Sequence, residues 1–233
     1  MNSYRNQERR LQSRKPVFPE ESLSSSSRAV VLKAALVLFA ERGFAGASIR
    51  DIGAEAGIKS ASLYAHYASK EHILSELIYI AHRELHQRLK NALLEAGTDP
   101  CDQVRALVHA HVSAHADFQM LAVVANSEMH MLSEELRAES LFLRHESEAL
   151  MVDVVRRGVV KGVFSVPDET LAVAMIGAAG IRTAHWFDDE LGISADYVGD
   201  TFSEYALRVL GARSAEHKPG ATVTPFPGNS SEI

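Results

Sequence analysis

Apolar residues along this chain recur at helical rather than strand spacing. Leu32, Ala35, Leu36 and Phe39 fall at i, i+3, i+4 and i+7, the buried stripe of a first helix over about 28–42 that Gly43 ends. Ser48 opens a second helix, with Asp51 three residues on as an acidic capping box and Ile49, Ile52 and Ala56 turned inward. Gly57 breaks that helix, and a short third one over about 60–67 follows a three-residue connection. Ser69 then caps a long fourth helix that reaches about Ala96. Beyond Gly97, Pro100 sits at the first turn of a fifth helix behind Thr98 and Asp99, and Asp117 starts a sixth. Ser133, followed by Glu134 and Glu135, opens a seventh that ends near Gly162. Asp168 begins an eighth that reaches Trp186, and Ser194 a ninth that closes at Gly211. Strand-type alternation and solenoid-length repeats are absent, so the expected fold is all-α with about nine helices, three short and then six longer.

The ends read differently. Residues 1–27 are rich in Arg, Ser and Gln and hold Pro16 and Pro19, and residues 214–233 carry Pro219, Pro225 and Pro227. Both are too polar to bury a core and are expected as a flexible basic arm and a disordered tail. Between them the pattern divides into a compact unit over 28–73 and a larger one over 74–213. Charge follows the same division. The whole chain carries −6, but residues 1–75 hold 11 Lys/Arg against 7 Asp/Glu while 76–233 hold 13 against 23. Only the amino-terminal third is suited to meet a polyanion. A single cysteine excludes a disulfide framework. The apolar runs are cut by Lys33 and Arg182 well short of a bilayer span, and the expected location is the cytoplasm.

The second and third helices form a helix-turn-helix by length and pattern, the arrangement that lays its second helix in a major groove. The third helix offers Lys59, Ser60, Ser62, Tyr64, His66 and Tyr67, all hydrogen-bonding and none acidic, with Leu63 as its inward anchor. The stretch 28–74 resembles the DNA-binding domain of the TetR/AcrR transcriptional repressors. The shared features are Ala34-Ala35, Leu38-Phe39, Glu41-Arg42-Gly43-Phe44, Ala47-Ser48-Ile49, Ile52, Ala56-Gly57-Ile58, Leu63-Tyr64, Tyr67 and Ser69-Lys70-Glu71. The resemblance implies that Ser48 caps the crossing helix against a phosphate, and that Tyr64 and Lys70 touch the DNA backbone. Lys59, Ser60, Ser62 and His66 would meet base edges or phosphates. Lys59 stands where the family often has Ser. Tyr67 stands where it usually has Phe, so its ring would be core and its hydroxyl would reach water or a phosphate. The arm residues Arg5, Arg9, Arg10, Arg14 and Lys15 are candidates for the minor groove. Two subunits would dock in successive major grooves, about 34–36 Å apart, on a near-palindromic operator.

Later residues (Gly158, Gly162-Val163-Phe164, Asp168 and Trp186-Phe187) resemble the family's second domain more loosely. That domain implies a cavity for a small hydrophobic effector, an acyl-coenzyme A thioester being one class, and dimerisation through helices 8 and 9. Candidate effector residues are Phe118, Glu128, Met129, His130, Phe142, His145, Arg182, His185 and Trp186. Gly177-Ala178-Ala179-Gly180, with Tyr205, Leu207 and Leu210, would serve the dimer contact. The pairs His82/His86 and His111/His115 have ligand spacing, but no zincin or Glu-x-x-His pattern accompanies them and no metal is expected. No P-loop, dinucleotide turn or nucleophile elbow occurs, so neither a cofactor nor catalysis is expected. The competing class is a helical small-molecule-binding protein or enzyme with no DNA role. Such a protein has no reason to keep an acid-free polar helix after a tight turn.

Overall fold

A computed structural model of the chain describes residues 15–23, 27–188 and 192–212. Among them regular structure is entirely helical. The headpiece comprises α1 (Ser27–Gly46), α2 (Ile49–Glu55) and α3 (Ser60–Tyr64). The body comprises α4 (Lys70–Glu95), α5 (Pro100–Asp117), α6 (Gln119–Glu128), α7 (Glu134–Val160), α8 (Glu169–Trp186) and α9 (Ala195–Val209), with a 3-10 turn at Met129–Met131. The starts agree with the caps in the sequence: Asp99, Asp168 and Ser194 each accept a backbone N–H at the head of their helix. Three starts or ends differ. Helix α1 runs on to Gly46, with a break at Gly43 (φ +70°), its expected end. Helix α3 stops at Tyr64 because the amides of His66 and Tyr67 both turn back to the Leu63 carbonyl, at 3.0 Å each, and Tyr67 swings inward. Asp117 closes α5 rather than opening α6, because Arg88 holds its carboxylate at 2.7 Å and leaves it no amide to cap.

Two cores organise the molecule. The first joins Leu32, Leu36 and Phe39 of α1, Ile52 of α2 and Leu63 of α3 to Ile73, Leu74, Leu77 and Ile78 of α4. It also takes in Met120, Leu121, Val124 and Ala125 of α6, so the headpiece shares its interior with part of the body. The second core lies between α5, α7, α8 and α9, with Leu107, Val112, Val154, Val155 and Leu210 at its centre. Helix α4 runs between the two: its first half belongs to the headpiece core and Leu89 to the other. Residues 15–23, expected within a flexible arm, pack on the first core instead. Pro19 is buried and Phe18 and Leu23 rest against that core, because these apolar side chains gain more from burial than the short segment loses on ordering. Arg5, Arg9, Arg10 and Arg14 and the tail 214–233 lie outside the described residues.

Candidate functional site

The outward face of the headpiece is built on local hydrogen bonding. Ser48 Oγ accepts the Asp51 amide at 3.2 Å, while the Ser48 amide and hydroxyl donate to Asp51 Oδ2 at 2.8 and 2.6 Å. The Ser48 hydroxyl and amide together hold the Asp51 carboxyl below its usual range. This reciprocal box fixes the start of α2. Gly57, at φ +66°, makes the turn, and the Ile58 amide closes on the Gly53 carbonyl at 2.9 Å. Helix α3 is then pinned by Leu63, which is 0% exposed, and by Tyr67 just beyond it. Lys59, Ser62, Tyr64 and His66 all stand exposed, Tyr64 at 57%. The Ser60 side chain lies outside the described residues. Arg50, exposed in the first turn of α2, adds a cation to the same side of the motif that sequence reasoning passed over.

Two expected DNA contacts are engaged inside. The Tyr67 hydroxyl donates to Glu76 Oε2 at 2.7 Å and accepts from Arg28 Nε at 3.2 Å, and Arg28 pairs with Glu76 at 2.8 Å. Its hydroxyl therefore faces neither water nor phosphate; burial, then Glu76, pushes the phenol pKa up. The triad ties α1 and the end of the reader to α4. Lys70 Nζ donates to the Phe44 and Ala47 carbonyls at 2.6 and 2.7 Å and lies 4.0 Å from the Phe44 ring centre. That ammonium locks the α1–α2 connection onto α4, because the Phe44 and Ala47 carbonyls and the Phe44 ring surround it.

The body encloses a cavity of about 340 Å³, lined from α4, α5, α6, α7 and α8 and mainly apolar. Of the nine effector candidates only Phe118 lines it. Glu128 lies beside Gly43 and within electrostatic reach of Lys70, and Met129 belongs to the headpiece core. His130 is exposed in the 3-10 turn, and Phe142, His145 and Arg182 are exposed because α7 and α8 turn other faces inward. His185 is half-buried near the end of α8, and Trp186 packs on Phe187 and Phe202 with ring centres 6.3 Å apart in each pair. Polar side chains on the wall include His82, His111, His115, Asn126 and Arg144, with the carboxylates Glu84 and Glu148. His115 Nδ1 donates to the His111 carbonyl at 2.8 Å, His111 Nε2 donates to the Gly177 carbonyl at 3.3 Å, and the two rings lie 4.4 Å apart. Burial pushes His111 down to about 3, His82 down to about 4 and His115 below its ordinary value, so all three are neutral near pH 7. Among the described residues no His, Cys, Asp or Glu groups assemble as a metal centre. Gly180, expected in the dimer contact, faces inward: a Cβ there would overlap the His111 ring.

Comparison with known families decides what the reader and cavity belong to. Residues 31–77 match the model of bacterial regulatory proteins of the tetR family, and residues 97–210 match the tetracyclin repressor-like C-terminal domain. The chain belongs to the TetR family. As a TetR-family protein it is a DNA-binding transcriptional regulator, and its curated relatives include repressors. The HTH-type transcriptional repressor KstR2 of Mycobacterium tuberculosis is 29% identical over 194 residues, which span 82% of this chain and 95% of that protein. The solved structure of the ketosteroid transcriptional regulator KstR2 from that organism superposes with a TM-score of 0.72 at 26% identity, over 83% of this chain and 98% of that one. The TetR family regulator PfmR of Thermus thermophilus superposes with a TM-score of 0.69 at 30% identity, covering 76% of this chain and 97% of PfmR. In the described residues of this TetR-family chain no helix is long and apolar enough to cross a membrane.

Proposed function

We propose that the protein is a cytoplasmic homodimeric repressor that binds a near-palindromic operator and is released by a small hydrophobic effector, acting by binding rather than by catalysis. The observation that carries the DNA half is α3 itself, a helix with one buried anchor and an outward surface without a carboxylate. Residues 28–73 are the reader: Ser48, Lys59, Ser62, Tyr64 and His66 stand exposed on it with Arg50 and meet the DNA, as does Ser60 by its place in the sequence; Tyr67 and Lys70 position it. Residues 74–213 are the effector and dimer domain. Exposed apolar side chains on α8 (Leu171, Met175) and α9 (Tyr197, Tyr205, Val209) support these helices as the contact between subunits.

Coupling runs through α4 and α6. Both line the cavity and both enter the headpiece core, α4 through Ile73–Ile78 and α6 through Met120–Ala125. A ligand that fits the cavity better in one setting of these helices draws the two readers away from the spacing of one duplex turn; a near-complete switch asks for about 10⁴-fold differential affinity. An apolar body of moderate size suits the cavity, and an acyl-coenzyme A thioester whose acyl part enters while its nucleotide stays outside is one such class. In a gel-shift salt series on the promoter region of its own gene, affinity falls roughly 10³-fold or more between 50 and 200 mM salt if six or more phosphates are neutralised. A flat response removes the DNA role.

A further inference from the structure

His82 stands on the cavity wall with its imidazole 6% exposed and its Nε2 buried without a hydrogen-bond partner. A polar nitrogen left in that state weakens the fold, and native proteins keep few of them unless something else fills the vacancy. The neighbouring polar groups narrow what that partner is. His115 spends its Nδ1 proton on the His111 carbonyl and His111 its Nε2 proton on the Gly177 carbonyl, so each neutral ring keeps only a lone pair. Asn126 uses an amide hydrogen on the Ala122 carbonyl and keeps its oxygen as acceptor. The wall is therefore rich in acceptors. Its one Lys or Arg among the described residues is Arg144, which is bound to Glu148 at 3.2 Å with its side chain 41% exposed. A buried carboxylate would find no free cation there.

We propose that His82 is the specificity-determining residue of the effector site, and that its Nε2 forms a hydrogen bond with an uncharged hydroxyl carried on the buried apolar part of the effector. This rests on reading the cavity as the effector site, but not on operator binding. A hydroxyl completes the imidazole in either tautomer and can also donate to the surrounding acceptors, whereas an ether or a carboxylate can only accept and an alkane can do neither.

The test uses the full-length protein without DNA, so a failed repressor reading leaves it intact. Matched rigid probes small enough for the cavity are titrated by calorimetry: 4-phenylphenol, 4-methoxybiphenyl, biphenyl and biphenyl-4-carboxylate. Wild-type protein is expected to bind the phenol roughly tenfold or more tighter than the ether and the hydrocarbon, with the carboxylate weakest. His82→Leu should erase that preference while leaving hydrocarbon binding and the melting temperature of the free protein undiminished, since no internal hydrogen bond is lost. His82→Gln should retain part of the preference. Equal binding of phenol and ether, a preference that survives in His82→Leu, best binding of the carboxylate, or no binding by any of the four overturns the proposal.

Discussion

Helix α3 and the cavity use polar side chains in opposite ways. On and beside α3, Lys59, Ser62 and Tyr64 stand exposed, His66 is exposed with its Nε2 bonded to Ser27 Oγ at 2.8 Å, and the groups that hold the reader in place, Tyr67 and Lys70, are engaged within the protein. In the cavity His82 and His115 are enclosed, and His82 Nε2 has nothing to bond. An exposed face can wait for DNA without loss, because water satisfies it meanwhile. An enclosed nitrogen cannot, so it costs stability. The face of α3 is thus satisfied by water, and the His82 nitrogen by nothing within the protein.

The largest expected effect tests the first half of that contrast. Leu63→Ala removes a fully buried anchor of a five-residue helix and should cost about 2–5 kcal/mol in urea unfolding, with loss of operator binding. If stability holds and only DNA binding falls, the reader is less rigid than its packing shows.

The second half is tested with acid. His82 titrates at about 4 in the folded protein against an ordinary 6.5, so its burial in the neutral form stabilises the protein fully above pH 6.5. As pH falls from 6.5 toward 4 the unfolded chain takes up the proton and the folded one does not, and stability drops by an amount on the order of 3 kcal/mol. His111 and His115, shifted the same way, steepen the loss. Urea unfolding at pH 7.5 and 5 should show it, and His82→Leu should make the fall shallower. An unchanged pH profile in that variant places the acid sensitivity elsewhere.

The contrast also explains what the sequence discloses. Ser48 with Asp51, Gly57 and Leu63 act within about fifteen residues of one another, and such local signals set α2, the turn and α3 before any distant contact forms. The starts of α5, α8 and α9 are legible for the same reason. The cavity is not, because its wall is made where five helices converge. His111 and His115 are visible as a spaced pair, but only Gly180, far along the chain, lets the His111 ring lie against α8. On α7 apolar residues mark no clear face, so Phe142 and His145 stand out in the sequence while Arg144 and Met151 are the ones turned inward. Lys70 shows a related limit. Its position suggests a phosphate contact, yet two carbonyls at the α1–α2 connection claim its ammonium first.

The smallest effect on the fold carries the finest test of the reader. Lys59 is exposed at the head of α3 and makes no capping hydrogen bond with its side chain, so Lys59→Ala should leave stability within about 0.5 kcal/mol of wild type. If its ammonium meets a phosphate, the slope of log affinity against log salt becomes shallower by about 1 for each subunit bound, with equal weakening on every operator variant. If it reads a base instead, the slope is kept and the loss concentrates on one base pair of each half-site. No change in either measure shifts the contact surface along α3 toward Tyr64 and His66, and makes the lysine that stands where the family often has serine a bystander to recognition.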